Sequence, residues 1–109
     1  MMREIILASH GALASGMADT ARMIIGDDPH LSTLALLPGS HPDCLKRQIE
    51  ERLAAGTADE FLILTDLWGG SVNNALLALA QDPRVHIVAG MNLNLVLHRA
   101  VSLSLYLFQ

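Results

Sequence analysis

Four short apolar runs, separated by segments of helical pattern, constrain this chain more than any other feature. The runs are Ile5 to Ala8, Leu31 to Leu37, Phe61 to Leu64 and Val85 to Ala89. They are nearly continuous rather than alternating, as is typical of strands buried on both faces of a sheet. Strands and helices that alternate in this way require right-handed crossovers and a parallel sheet covered on both faces. The pattern predicts a small doubly wound α/β domain, for which we take the strand order 2-1-3-4.

The segments between the runs predict helices that differ in burial. In the first, one face carries Leu13, Met17, Ala21, Ile24 and Ile25, and the residues from Gly26 to Pro29 end it. In the second, apolar residues recur once per turn among charges up to Gly56; they are Leu45, Ile49 and Leu53. The third, from Ser71 to Ala80, is apolar almost all round and is predicted to be the most buried.

The C-terminal segment combines two patterns. MNLNLVLHRAV fits a fourth helix, whereas SLSLYLFQ alternates leucine with other residues in the manner of a strand. An exposed strand as apolar as this aggregates unless something pairs with it. We therefore expect a C-terminal edge strand that pairs within a homodimer.

Composition excludes several classes of protein. The 109 residues are expected to form a single domain, 1–109, since a second core would be too small to fold alone. Hydrophobic residues make up 51% and charged residues 17%, which excludes a disordered chain. The net charge of -4, without a basic run, argues against nucleic acid as a partner. The interrupted apolar runs predict no membrane span, and the absence of a signal-peptide pattern predicts a cytoplasmic protein.

A histidine and an aspartate follow two of the runs at the same edge of the expected sheet. His10 lies two residues past Ala8, and Asp66 lies two residues past Leu64. In the order 2-1-3-4, strands 1 and 3 are neighbours about 4.8 Å apart, so the imidazole and the carboxylate can form a hydrogen bond where the strand order reverses. A carboxylate that accepts one ring N–H leaves the other ring nitrogen with an outward lone pair, which makes a histidine nucleophilic.

Gly69, Gly70 and Ser71 lead into the third predicted helix. The first amides of a helix lack partners within it and favour an anion such as a phosphoryl group. The glycines allow close approach of the backbone, and Ser71 can cap the helix or donate its hydroxyl. Together with His10 and Asp66, these residues predict phosphoryl transfer through a histidine.

Each of these signals also has a structural interpretation. A histidine beside a strand end is most often structural, aspartate is a common turn former and G-G-S is a common helix entry. Trp68 is expected to line the crevice or to meet a partner protein, and Pro38 lies in a turn that either flanks the site or is a plain turn. Asn73 and Asn74 are expected at the surface. The other histidines, His30, His41, His86 and His98, and the single Cys44 suggest no metal site.

Four motifs together resemble the IIA domain of the mannose-type sugar phosphotransferase system, from about Glu4 to Leu97. They are S-H-G, L-P-G, D-L-W-G-G-S and V-A-G-M-N, one after each predicted strand. The resemblance implies a flavodoxin-like sheet and a dimer that exchanges a C-terminal strand. It also implies that His10 takes a phosphoryl group on Nε2 from the phosphocarrier protein HPr and passes it to a IIB component, with Asp66 as orienter and Ser71 near the phosphoryl group.

Further expectations follow from this resemblance. Partner proteins are expected to contact the rim around the site, including Gly11, Pro38 and Trp68, and the membrane is approached only through the transporter complex. No metal or organic cofactor is expected, because the donor is already a phosphohistidine of similar energy. Members of the family usually continue further past the point that matches Leu97. The chain therefore looks short at its C-terminus, and the dimer geometry stays open.

Other functions compete with sugar transport. A regulatory IIA-like module would use phosphorylation of His10 to control a partner. A related branch of the family serves dihydroxyacetone kinase, although W-G-G-S favours the sugar branch. A nucleotide-binding or hydrolytic α/β protein is disfavoured, since the G-x-G-x-x-G, phosphate-loop and G-x-S-x-G motifs are all missing.

Overall fold

The chain folds around a parallel sheet. A computed structural model describes residues 2–107, which contain one four-stranded sheet. Its strands are β1 (Arg3–His10), β2 (Leu31–Leu36), β3 (Glu60–Thr65) and β4 (Val85–Ala89). The order is β2-β1-β3-β4, and every neighbouring pair is parallel. The predicted α/β fold and strand order are confirmed, and β1 and β3 are central neighbours.

Helices cover both faces of this sheet. They are α1 (Leu13–Ile25), α2 (Asp43–Ala55), α3 (Ser71–Leu76), which continues as a 3₁₀ helix (Leu77–Gln81), and α4 (Leu93–Leu107). Alternate side chains of β1 point to opposite faces. Ile5 and Leu7 pack with α1 and α4, whereas Ile6 and Ala8 pack with α2 and α3. The two apolar cores explain why the strands read as continuous apolar runs.

The sequence predicts α2 well. Its buried residues are Leu45, Ile49 and Leu53, as expected. Most of its charged residues are exposed, whereas Arg52 is part-buried and pairs with Glu4 at 3.0 Å. The helix ends where Gly56 adopts a left-handed φ of 64° and its N–H bonds the carbonyl of Leu53. This helix therefore has the predicted wet face.

The predicted apolar face of α1 is wrong in part. The buried side chains of this helix are three alanines: Ala14, Ala18 and Ala21. Leu13 is 46% exposed and Ile24 is 58% exposed, although both lie on the apolar face that the sequence predicts. Large side chains from the sheet, Ile5 and Leu7 among them, share this core with the alanines. Small residues on the helix leave room for them, so residue size rather than hydrophobicity selects the face of α1.

The third helix is also less buried than predicted. α-Helical geometry stops at Leu76, and the side chains buried along the segment are Val72, Asn73, Leu76 and Leu79. Leu77 is 41% exposed. Alanines account for much of the apolar pattern here, and alanine is tolerated in solvent as well as in a core. The apolar composition of this segment therefore overstated its burial.

The expected C-terminal edge strand is wrong for the described residues, since α4 continues as helix to Leu107. Neither glycine nor proline interrupts the sequence after Leu93, and Leu103 and Leu107 are also spaced by one helical turn. The last two residues of that segment, 108 and 109, lie outside the described residues. The homodimer stays a prediction. Within residues 2–107, no helix is long and apolar enough to cross a membrane.

We expect Ala18→Leu to lower the free energy of unfolding by about 1–3 kcal/mol, because a larger side chain overpacks the core beneath α1. Ile24→Ala on the same helix is the matched control and should change it by less than about 0.5 kcal/mol. Urea denaturation followed by circular dichroism measures both. A larger loss for Ile24→Ala than for Ala18→Leu would show that α1 buries the face predicted from the sequence.

Candidate functional site

His10 and Asp66 meet at the carboxyl edge of the sheet. His10 is the last residue of β1, and Asp66 directly follows Thr65, the last residue of β3. The ring Nδ1 of His10 and Oδ2 of Asp66 are 2.7 Å apart. The same carboxylate oxygen accepts the backbone N–H of His10 at 2.8 Å. The expected hydrogen bond is therefore present, and one oxygen holds both the ring and the backbone of the histidine.

The two side chains differ in their access to solvent. The Asp66 side chain is 6% exposed, whereas the His10 side chain is 47% exposed. Burial is the largest single influence on the pKa of Asp66, and it raises that pKa. The hydrogen bonds from the backbone and ring of His10, the charge of that ring when protonated and the hydrogen bond from the Leu67 N–H act in the opposite direction, and together they lower the pKa below its usual 3.8. The carboxylate is therefore ionised at neutral pH, and its Oδ1 accepts the Leu67 N–H at 3.0 Å.

The ionised carboxylate fixes the tautomer of His10. An ionised carboxylate only accepts hydrogen bonds, so Nδ1 carries a proton, and in the neutral form of the ring Nε2 keeps its lone pair. The hydroxyl of Ser71 lies 2.9 Å from Nε2 and donates its hydrogen to that lone pair. Asp66, His10 and Ser71 thus form a continuous chain of hydrogen bonds that leaves Nε2 as the basic nitrogen of the ring.

Two glycines bring Ser71 to the histidine. Gly69 has a φ of 77°, a conformation that glycine adopts without strain. A Cβ on Gly70 would lie 2.9 Å from Cδ2 of Leu67, so any larger residue here would have to displace that exposed side chain. The side-chain amide of Asn74 donates to the carbonyl of Gly69 at 3.1 Å. Ser71 is consequently the first residue of α3, and its hydroxyl faces His10 while Gly70 takes the cap position.

Ser9 and Gly11 hold the turn on either side of His10. Ser9 is fully buried, and its Oγ accepts the N–H of Ala14 at 2.8 Å. That amide belongs to the first turn of α1, where no helical carbonyl is available to it. Gly11 has a φ of 54°, and its N–H bonds the carbonyl of Leu36 at 2.9 Å. The role of Ser9 is missing from the sequence prediction, although a serine at a strand-to-helix turn is a common capping signal.

Asn73 is buried, and its predicted surface position is wrong. Its side-chain Oδ1 accepts the hydroxyl of Thr65 at 2.8 Å, and both residues have no exposed surface. Asn74, by contrast, is exposed, as expected. An asparagine in the first turn of a helix usually faces solvent, so the pattern alone contains no signal for this contact.

Three exposed apolar side chains follow the carboxyl ends of β2 and β3 and form what we call the apolar rim: Leu37, Leu67 and Trp68. These side chains are 58%, 50% and 77% exposed, so Trp68 is not a core residue. A cavity of about 350 Å³ adjoins His10; its other lining residues are Gly11, Leu36, Leu37, Pro38, Gly39 and Ser40. The predicted partner-contact residues Gly11 and Pro38 thus lie beside the histidine.

Two other histidines stand apart from this site. The Nδ1 of His41 accepts the N–H of Asp43 at 3.1 Å. His86 lies in β4 and lines a cavity of about 380 Å³ together with Arg3 and Glu60. Arg3 is the first residue of β1 and Glu60 is the first residue of β3. None of the predicted site residues lines that cavity. Across the described part of the chain, no group of three or more His, Cys, Asp or Glu could hold a metal ion.

The fold and this site define a doubly wound α/β protein with a carboxylate-bound histidine where the strand order reverses. Comparison with known families identifies the family to which the chain belongs. The family model described as "PTS system fructose IIA component" matches residues 4–104. The chain belongs to this family of IIA components of the sugar phosphotransferase system, as its four motifs predict.

Individual relatives agree with this assignment. The sorbose-specific EIIA component of Klebsiella pneumoniae is 33% identical over 88% of this chain and 71% of its own length. The mannose-specific EIIAB component of Escherichia coli is 30% identical over 85% of this chain, which spans 29% of that protein. The crystal structure of a IIA protein associated with the fucose utilization operon of Streptococcus pneumoniae has a TM-score of 0.78 at 37% identity, over 90% of this chain and 76% of its own.

We expect Asp66→Asn to lower the free energy of unfolding at neutral pH by about 1–3 kcal/mol, because an amide replaces the ionised acceptor of both His10 N–H groups. Because the pKa of Asp66 is lowered in the folded protein, its carboxylate stabilises the fold fully at pH values above its ordinary pKa of 3.8. This stabilisation is lost as the pH falls through the lower pKa of the folded state. Urea denaturation of the wild type and the variant should therefore show a difference in the free energy of unfolding that shrinks below pH 3.8. A difference that is constant from neutral pH into this acid range would contradict the assignment.

Proposed function

We propose that the protein is a phosphocarrier in which His10 accepts a phosphoryl group on Nε2 from phosphorylated HPr and passes it to a IIB component during sugar uptake. The observation that carries the proposal is the position of the ring between Asp66 and Ser71, at 2.7 Å and 2.9 Å. A ring held on Nδ1 by a buried carboxylate presents Nε2 outward as a nucleophile. Membership of the IIA family supports the same chemistry.

Acceptance requires little rearrangement of the protein. The N–P bond of the donor phosphohistidine breaks as the bond from phosphorus to His10 Nε2 forms. No proton has to leave Nε2, because the tautomer places the ring proton on Nδ1. The Ser71 hydroxyl turns from the nitrogen lone pair to an oxygen of the phosphoryl group. The negative charge of Asp66 stabilises the positive charge that develops on the ring.

Gly69, Gly70 and Ser71 form the proposed phosphoryl-binding segment. Glycine at the first two positions allows the backbone to approach the phosphoryl oxygens closely. Ser71 begins α3, so the amides that follow it lack helical acceptors and can donate to an anion. The chemistry needs no metal or organic cofactor, because donor and acceptor are both histidines and the proteins have only to align them.

The apolar rim is the proposed contact surface for HPr and for the IIB component, together with Gly11 and Pro38. Exposed apolar side chains around a reactive group favour a protein partner, and tryptophan is enriched among the residues that dominate binding energy. The Escherichia coli relative is named as an EIIAB component, which associates the A part with a B part. The proposal further includes a homodimer in the cytoplasm that meets the membrane only through the transporter complex.

The proposed phosphorylation site is tested by intact mass after incubation with phosphoenolpyruvate, enzyme I and HPr. The wild type should gain a single acid-labile phosphoryl group, and His10→Ala should gain none because the nucleophile is missing. His41→Ala is the matched control, since His41 also follows β2 but its Nδ1 accepts the N–H of Asp43 at the start of α2. Phosphorylation of a folded His10→Ala variant would contradict the proposal.

Trp68→Ala should weaken contact with HPr. Because the side chain is 77% exposed, its removal should leave the free energy of unfolding unchanged within about 0.5 kcal/mol. We expect KM for phosphorylated HPr to rise about tenfold or more with little change in kcat, as for loss of a central interface residue. Met23→Ala, which removes a side chain 84% exposed on α1, is the control and should leave both constants unchanged. An unaltered KM for Trp68→Ala would exclude the rim as the docking surface.

A further inference from the structure

A buried polar pair lies beneath the site in an otherwise apolar core. Thr65 and Asn73 have no exposed surface and are joined by the 2.8 Å bond from the threonine hydroxyl to the amide oxygen. Ala8, Val72 and Leu76 belong to the core on the same face of the sheet. The Asn73 amide nitrogen is buried without a hydrogen-bond partner among the described residues. Replacing both partners of such a pair by apolar groups of the same shape is nearly neutral or stabilising, so net stability does not explain the pair.

The pair joins the two ends of the loop that carries the site. Thr65 directly precedes Asp66, and Asn73 lies in the first turn of α3, the helix that begins with Ser71. Other hydrogen bonds also hold the loop, but they reach single residues of it: the Leu67 N–H bonds Asp66 at 3.0 Å, and the Asn74 side-chain amide bonds the Gly69 carbonyl at 3.1 Å. Leu67 and Trp68 are exposed, and the N–H of Gly70 reaches the carbonyl of Leu67 only at 3.4 Å. The bond between Thr65 and Asn73 therefore joins the strand end that precedes Asp66 directly to the helix start that carries Ser71.

We propose that Thr65 and Asn73 are positioning residues that set the distance from the Ser71 hydroxyl to Nε2 of His10, and hence the rate of phosphoryl transfer. Neither side chain hydrogen-bonds the ring or the Ser71 hydroxyl, so both act through the strand end and the helix start that they connect. The part of this inference that concerns the rate of phosphoryl transfer rests on the proposed function. The hydrogen bond between Ser71 and His10 is a separate observable that does not depend on that function.

Three variants separate positioning from stability. Thr65→Val removes the hydroxyl at constant size and leaves the Asn73 amide wholly unpaired. The double variant Thr65→Val with Asn73→Leu replaces both partners by apolar groups and should unfold at the same temperature as wild type or higher. Thr65→Ser keeps the hydroxyl and is the matched control. Thermal unfolding, kcat and KM for phosphorylated HPr, and the nitrogen-15 chemical shift of His10 Nε2 are measured for each.

We expect kcat to fall about tenfold in the double variant and in Thr65→Val, with KM unchanged. About tenfold is the lower end of the range for residues that orient a reactive group without contacting the substrate. Their Nε2 shift should move toward that of an imidazole without a hydrogen bond. Thr65→Ser should keep both values. Wild-type kcat and Nε2 shift in the double variant would overturn the proposal. If the double variant does not fold, Thr65→Val decides alone. If wild type takes no phosphoryl group from HPr, the proposed function fails and the Nε2 shift alone decides the positioning role.

Discussion

The site depends on the two hydrogen bonds that Oδ2 of Asp66 accepts from the backbone and the ring of His10, at 2.8 Å and 2.7 Å. These bonds connect the ends of the two central strands and determine which ring nitrogen carries the proton. Without the carboxylate, the ring would sample both tautomers and several orientations, and Nε2 would lose its fixed direction. The lowered pKa of Asp66 reflects the same contacts, since they stabilise its charged form despite burial.

The fold makes this interaction available at low cost. A parallel sheet in the order β2-β1-β3-β4 places the carboxyl ends of β1 and β3 side by side, where the chain leaves the sheet in opposite directions. Ser9 and Gly11 fix the first exit, through the start of α1 and the end of β2. The glycines before Ser71 fix the second. The polar groups of the site are satisfied by one another, while the His10 side chain stays 47% exposed.

Sequence pattern predicted most of this arrangement and failed where residue size or tertiary contact decides. Continuous apolar runs identify the strands, and His10 and Asp66 follow from their ends. Periodicity places Leu13 and Ile24 on the apolar face of α1, because it does not take account of the space that alanines leave for large strand residues. The C-terminal leucines satisfy both strand and helix spacing, so the pattern alone does not decide between them. Asn73 is buried by a contact with Thr65 that no local signal announces.

The most direct test of the account is to identify the ring nitrogen of His10 that bears the phosphoryl group, by nitrogen-15 and phosphorus-31 NMR of the phosphorylated protein. The hydrogen bond to Asp66 predicts phosphorus on Nε2 and a proton retained on Nδ1. Phosphorus on Nδ1, or on a residue other than His10, would contradict it, because the carboxylate would then not be the group that orients the nucleophile.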